Sequence, residues 1–155
     1  MTELRRQGGC QCGAIRYELV GEPLFTHVCH CTDCQRRGGA FGLSMLVEEK
    51  QFRLLQGDPE AVEIVADSGN VKTSRFCRRC GTTIYGRSAA RTGIVVLRPN
   101  TFDDTAWFAP QAHIWTRSKQ PWVALPEGVP AFETTYDARE VWPAESLARL
   151  RARSG

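Results

Sequence analysis

Residues 8–17 read GGCQCGAIRY, and this stretch carries the first of two cysteine pairs that decide the fold. Cys10 and Cys12 are two positions apart, so in an extended strand their side chains face the same side. Both sulfurs can therefore reach one point in space. Gly13 follows directly, and a glycine there allows a positive φ that turns backbone N–H groups toward the thiolates.

The matching pair lies in the middle of the chain, where residues 74–85 read SRFCRRCGTTIY. Cys77 and Cys80 have the C-x-x-C spacing of a zinc knuckle, and Gly81 again follows the second cysteine. Four thiolates around Zn²⁺ form a closed tetrahedral site of the structural type. We therefore expect one structural zinc to tie the first strand to the middle of the chain.

The whole chain has the size and composition of one globular domain. It has 155 residues, of which 42% are hydrophobic and 24% charged, and its net charge is +3. Its start lacks the apolar stretch of a secretory signal, and its apolar runs are too short to cross a bilayer. We expect a cytoplasmic protein without membrane contact, in which clustered cysteines bind metal rather than pair as disulfides.

Most segments have the pattern of short strands. Residues 14–21, AIRYELVG, place Ile15, Tyr17 and Leu19 on one side of a strand. Residues 68–70, SGN, lie between two strand-like runs and indicate a hairpin.

A short helix is predicted at the C-terminal end, in residues 142–155, WPAESLARLRARSG. Pro143 suits a first helical position. These patterns together indicate a single mainly β domain over residues 1–155, with a core of about residues 5–137.

A second cysteine group lies in residues 27–39, HVCHCTDCQRRGG. Cys29 and Cys31 are again two apart, and Cys34 follows at knuckle spacing, so all three sulfurs can converge on one metal. A closed structural site needs four ligands, and the cysteines of this stretch supply three.

Two histidines are open candidates for the fourth position. His27 has the same parity as the neighbouring cysteines, whereas His30 alternates with them and would point away in a strand. Water or a substrate atom are the other candidates.

The charge of a three-thiolate site indicates its chemistry. Three thiolates on Zn²⁺ leave a net charge of about −1, which weakens the Lewis acidity needed to ionise water. A thiol is a better incoming ligand, because metal coordination deprotonates it. The site therefore favours a sulfur substrate, or a labile regulatory metal, over a zinc hydrolase. Arg36 and Arg37 follow directly and are candidate partners for substrate carboxylates; the alternative is two surface arginines.

Three motifs resemble those of a known family: GGCQCGAIRYE at residues 8–18, VCHCTDCQRRGGAF at 28–41 and RFCRRCGTTIY at 75–85. In this order and spacing they are similar to the glutathione-dependent formaldehyde-activating enzyme family, whose domain is also named after centromere protein V. Residues 112–123, AHIWTRSKQPWV, look like the family's histidine-to-tryptophan segment.

The resemblance implies two zinc ions per chain. The structural ion lies within stacked, irregular antiparallel sheets and is bound by Cys10, Cys12, Cys77 and Cys80. The second ion is regarded as catalytic and is bound by Cys29, Cys31 and Cys34. The family's founding activity joins glutathione to formaldehyde as S-hydroxymethylglutathione, a carbon–sulfur lyase reaction, so the resemblance makes a small-molecule thiol the expected partner.

Two other function classes are open at this point. A non-enzymatic zinc module would bind protein or nucleic acid. Acidic residues such as Asp33, Glu48 and Glu49 interrupt the positive charge, so nucleic acid is not expected. A thiol redox enzyme would cycle Cys31 and Cys34 through a disulfide without metal.

Replacing Cys80 by serine tests the structural zinc. Because the free energy of zinc binding contributes to folding, Cys80→Ser should yield insoluble or molten protein. The measurements are soluble yield, thermal melting and zinc content per chain. A soluble variant with native melting behaviour and one fewer zinc would contradict the expectation.

Overall fold

A computed structural model describes residues 2–66 and 69–153 of this protein. Its strands are β1 (Arg5–Gly9), β2 (Arg16–Val20), β3 (Phe25–Cys29), β4 (Gly42–Glu48), β5 (Phe52–Gln56), β6 (Glu60–Val65), β7 (Val71–Phe76), β8 (Thr83–Ser88), β9 (Ile94–Leu97) and β10 (Ala112–Ile114). Its helices are α1 (Thr32–Gly38), α2 (Ala138–Val141) and α3 (Ala144–Arg153).

The chain divides into two compact units, each built from separate stretches of sequence. The first unit comprises Met1–Pro23 and Met45–Phe108, and the second comprises Leu24–Ser44 and Ala109–Gly155. The cysteines at 10, 12, 77 and 80 all belong to the first unit, and those at 29, 31 and 34 to the second. Each cysteine group is therefore assembled within one unit.

Two antiparallel sheets form the first unit. One has the strand order β1-β2-β5, and the other joins residues 45–48 of β4 to strands in the order β9-β8-β7-β6. The pairing of β6 with β7 agrees with the hairpin expected at residues 68–70, of which Ser68 lies outside the described residues.

The core of the first unit is centred on Tyr17. The predicted alternation of β2 is present, because Ile15, Tyr17 and Leu19 are all buried. The Tyr17 hydroxyl lies 2.8 Å from Thr101 Oγ1, whose own proton goes to a backbone carbonyl, so Tyr17 is the donor. Glu18 is also buried, at 7% exposure, and accepts a 2.8 Å hydrogen bond from Arg5 Nη1.

The second unit is built on a parallel strand pair. β10 runs parallel to β3, with Ala112 beside His27 and Ile114 beside Cys29. The ladder thus ends at the first cysteine of the second group. At the C-terminal side, the ring of Trp142 stacks on Phe25 at a centroid distance of 5.5 Å.

The predicted fold class, mainly β with stacked antiparallel sheets and a short C-terminal helix, is confirmed. Helix α3 begins at Ala144, one residue after the first helical position expected at Pro143. The extent of the domain, residues 1–155 with a core of about 5–137, stays a prediction. Within residues 2–66 and 69–153, every helix is too short or too polar to cross a membrane.

Gly8 tests how tightly β1 packs in the first unit. A Cβ at Gly8 would lie 2.4 Å from the Thr101 carbonyl oxygen and 2.6 Å from the Tyr17 hydroxyl. Gly8→Ala should therefore lower the free energy of unfolding by about 1–3 kcal/mol, as overpacking does. Denaturant unfolding measures this.

Gly38→Ala is the matched control, because a Cβ at that helical position meets no atom within 4 Å. It should leave stability unchanged or raise it by roughly 0.4–1 kcal/mol. Equal unfolding midpoints for the two variants would show that β1 is not packed this closely.

Candidate metal centres

The first cysteine group brings four sulfurs together at the junction of two turns. Its ligand atoms, from Cys10, Cys12, Cys77 and Cys80, all lie within 4.8 Å of one another. The sulfur of Cys12 lies 3.6 Å from that of Cys10 and 3.7 Å from that of Cys77. A tetrahedron with Zn–S bonds of about 2.3 Å has sulfurs roughly 3.8 Å apart, so this donor set fits zinc.

The two glycines predicted from the sequence shape the turns of this group. Gly13 and Gly81 both have φ of 77°, and a Cβ at either position would meet no atom within 4 Å. Glycine is therefore needed at these positions for its backbone conformation, and not because neighbouring atoms leave no room for a side chain. Each glycine N–H bonds to the carbonyl oxygen of the first cysteine of its pair, at 3.0 Å for Gly13 and 2.8 Å for Gly81.

Hydrogen bonds to the sulfurs favour the thiolate form at Cys10 and Cys80, whereas at Cys12 the three neighbouring thiols outweigh a backbone hydrogen bond from Ala14 and raise the pKa to about 11. The Thr82 hydroxyl lies 3.1 Å from Cys80 Sγ, and this contact together with the Thr82 backbone N–H lowers the pKa of Cys80 to about 5. The backbone N–H of Ile15 donates to Cys10 Sγ at 3.2 Å. Deprotonated thiols are the form that binds a metal.

The second cysteine group lies where β3 passes into α1. The sulfurs of Cys29, Cys31 and Cys34 all lie within 4.8 Å of one another. Cys31 is the N-cap of α1, and its sulfur accepts a 3.4 Å hydrogen bond from the backbone N–H of Cys34. Hydrogen bonds from the thiols of Cys29 and Cys34, followed by backbone N–H groups, lower the pKa of Cys31 to about 2. The first thiolate of the group therefore forms at Cys31.

Both histidine candidates for a fourth ligand have other partners. His27 Nδ1 lies 3.0 Å from the Tyr136 hydroxyl, and His30 Nε2 lies 2.9 Å from His113 Nδ1. Among the described residues, no histidine, aspartate, glutamate or further cysteine joins the three sulfurs. The second group thus offers three donors, in contrast to the four of the first.

Gln35 connects the second cysteine group to a segment late in the chain. Its Nε2 donates to the carbonyl oxygens of His30, at 2.8 Å, and Ser118, at 2.7 Å. Its Oε1 accepts a 2.8 Å hydrogen bond from Gln120 Nε2. Gln35 could not be identified as a site residue from the sequence, because a glutamine next to a cysteine motif carries no signal of its own.

Trp115 has an unusual backbone conformation in that late segment. Its φ of 57° and ψ of 37° lie in the left-handed region, which bulky residues rarely adopt. The backbone of Trp115 is held by hydrogen bonds to Thr134 O at 2.7 Å and from Ser118 N at 3.1 Å. This turn directs residues 116–120 toward Gln35.

Arg36 and Arg37, the two candidate substrate residues, are exposed in the second half of α1. No ion pair of the described residues involves either side chain. Their guanidinium groups are therefore available to a ligand.

Two surface cavities lie away from the cysteine groups. Two cavities of about 450 and 440 Å³ lie in the first unit, one beside Arg87 and Ile94, the other beside Arg6 and Trp107. No cysteine lines either cavity. The cysteine groups are better candidates for the functional site, because each brings three or four metal-binding sulfurs within 4.8 Å of one another.

Comparison with known proteins identifies the same family that the sequence motifs resemble. The family described as glutathione-dependent formaldehyde-activating enzyme matches residues 5–118. A protein of Halomonas elongata named "Putative glutathione-dependent formaldehyde-activating enzyme" is 24% identical over 161 residues, covering 96% of each chain. The crystal structure of a Rhodobacter sphaeroides protein is similar in fold, with a TM-score of 0.50 and 21% identity over 63% of this chain and 87% of that one.

The family match spans both cysteine groups and most of the chain. It includes all seven cysteines and ends at residue 118, within the late segment that contacts Gln35. The chain therefore belongs to the glutathione-dependent formaldehyde-activating enzyme family.

Proposed function

We propose that this protein is a zinc-dependent enzyme of the carbon–sulfur lyase type that acts on a thiol–aldehyde adduct. The proposed substrates are glutathione and formaldehyde, which together give S-hydroxymethylglutathione; a related thiol is the alternative. The observation that carries the proposal is the donor count, because the second group has three sulfurs and no fourth donor among the described residues. Membership of the family supports the same class of reaction.

The two cysteine groups have different proposed roles. The cysteines at 10, 12, 77 and 80 would hold a structural zinc, and Cys29, Cys31 and Cys34 would hold a second, labile zinc. When bound by the three cysteines, zinc supplies positive charge that favours the thiolate form of an incoming thiol. Because three thiolates keep the group negatively charged, ionisation of water is disfavoured.

The reaction needs mainly positioning from the protein. The substrate sulfur forms a bond to the carbonyl carbon of the aldehyde as the carbonyl π bond breaks. The proton lost by the thiol ends on the new hydroxyl group, so thiol and aldehyde combine without another reactant. The three cysteines would hold the metal at which the substrate sulfur binds. Gln35 holds the carbonyl of His30 and keeps the cysteine turn against residues 118–120.

Helix geometry separates the two candidate substrate arginines. Arg37 lies three positions after Cys34 and shares its side of α1, because successive helical residues are rotated by about 100°. Arg36 lies two positions after Cys34 and faces the opposite side. We therefore assign recognition of a substrate carboxylate to Arg37 rather than Arg36.

Exchange between glutathione and ¹³C-labelled formaldehyde tests the activity directly. Two-dimensional NMR exchange spectroscopy measures the rate, and the zinc-loaded protein should raise it above the uncatalysed rate. Cys34→Ser should abolish the increase while retaining one zinc, because the first cysteine group is intact. An exchange rate that wild-type protein with two zinc ions leaves unchanged would refute the proposed activity.

Replacing each arginine by glutamine tests the carboxylate assignment. Arg37→Gln should raise KM for glutathione about tenfold with little change in kcat, which corresponds to about 1.4 kcal/mol of binding free energy. Arg36→Gln is the matched control and should change KM less than twofold. With 2-mercaptoethanol, which has no carboxylate, both variants should match the wild type. Equal effects of the two substitutions on glutathione would contradict the assignment.

A further inference from the structure

His30 lies between two cysteines of the second group and is held from several directions. Its side chain is fully buried, at 0% exposure. Its backbone N–H donates to Ile114 O at 2.9 Å, and its carbonyl oxygen accepts from Gln35 at 2.8 Å. Its ring contacts Phe41 edge-on, at a centroid distance of 5.6 Å, and meets the His113 ring edge to edge, with 24° between the two planes and a centroid distance of 5.2 Å. The position of this one residue therefore governs the turn that carries Cys29 and Cys31.

His113, one of these neighbours, is held by backbone hydrogen bonds on both sides. It lies in β10 and is 6% exposed. Its backbone N–H donates to Pro130 O at 2.8 Å, and its carbonyl oxygen accepts from Phe132 N at 2.9 Å. Its Nδ1 lies 2.9 Å from His30 Nε2. A rigid strand thus presents a hydrogen-bonding atom to the ring between two cysteines.

The histidine pair fills a buried space with an unfavourable free-energy contribution. One hydrogen bond joins the rings, and the outer atoms, His30 Nδ1 and His113 Nε2, are buried without a partner among the described residues. A buried polar atom without a partner costs roughly 1–3 kcal/mol. Two apolar side chains would avoid that cost. Stability alone therefore does not account for the pair. A requirement for a fixed ring orientation does account for it, because a hydrogen bond fixes that orientation and apolar packing does not.

We propose that His113 is a positioning residue for the second cysteine group. Its hydrogen bond fixes the ring of His30, and through the backbone of His30 it holds Cys29 and Cys31 with their sulfurs converging. Among the described residues, His113 is not one of the candidate ligands that converge with the three sulfurs. This inference rests on the proposed binding of a metal by Cys29, Cys31 and Cys34.

The release of zinc from the two groups provides the test, with the first cysteine group as an internal control. A chromogenic zinc chelator is added to zinc-loaded protein. We expect a fast phase of zinc release from the second cysteine group and a slow phase from the first. His113→Phe should release the labile zinc at least about tenfold faster than wild type, in the range found for residues that orient metal ligands. The slow phase from the first group should not change. Phe41→Leu, which alters packing on the same ring without removing a hydrogen bond, should have a much smaller effect.

Two polar substitutions distinguish positioning from a general effect on folding. The side chain of asparagine places a polar atom where Nδ1 of His113 lies, whereas that of glutamine reaches toward the position of Nε2. His113→Asn should therefore retain the labile zinc, and His113→Gln should lose it faster. The absorption bands of cobalt-substituted protein, which report thiolate coordination, should follow the same order. This comparison also replaces His113→Phe if that variant does not fold.

The outcomes separate the positioning role from the proposed activity. Wild-type release in both His113→Phe and His113→Gln would overturn the positioning role, as would equal loss in the asparagine and glutamine variants. Wild-type protein that binds two zinc ions but does not accelerate the exchange of glutathione with formaldehyde would refute the activity and leave the positioning role intact. Binding of only one zinc by wild-type protein would overturn both.

Discussion

The convergence of cysteine sulfurs is the constraint on which the rest of the first unit depends. Cys12 and Cys77 are 65 positions apart, yet their sulfurs lie 3.7 Å from each other. Such a distance requires β1 and β7 to end close together and the backbone to turn sharply after each strand. The left-handed glycines that follow Cys12 and Cys80 make those turns. Closing so long a loop is costly in chain entropy, and the proposed metal binding at the closure would offset that cost.

The second cysteine group reaches a similar convergence by local means. Its three sulfurs come from six consecutive residues, at the end of a strand and the first turn of a helix. Because side chains alternate along an extended chain, directing Cys29 and Cys31 to one side directs His30 to the other. The same alternation that forms the sulfur group thus buries a histidine, and β10 supplies that histidine with its partner.

Two departures from ordinary local rules lie around this second group. The two buried histidines leave ring nitrogens without partners among the described residues, and Trp115 adopts a left-handed backbone. Gln35, in contrast, uses its amide for three hydrogen bonds that tie the cysteine turn to residues 118–120. Unfavourable local conformations persist where surrounding contacts enforce them, and they are typical of functional sites. The first group, with paired turns and four sulfurs, has the regularity of a structural centre.

The sequence by itself determined both cysteine groups and the turns at Gly13 and Gly81. It also determined which face of β2 is buried and to which family the chain belongs. These features depend on spacing within a few residues, and the chemistry of cysteine and glycine restricts the alternatives. Only the tertiary structure decided the partners of His27, His30 and Gln35, the burial of Glu18 and the parallel pairing of β3 with β10. The His30–His113 and Gln35–Ser118 contacts each span 83 positions. Contacts at that separation arise from how the two stretches of the second unit pair and pack, which local periodicity does not specify.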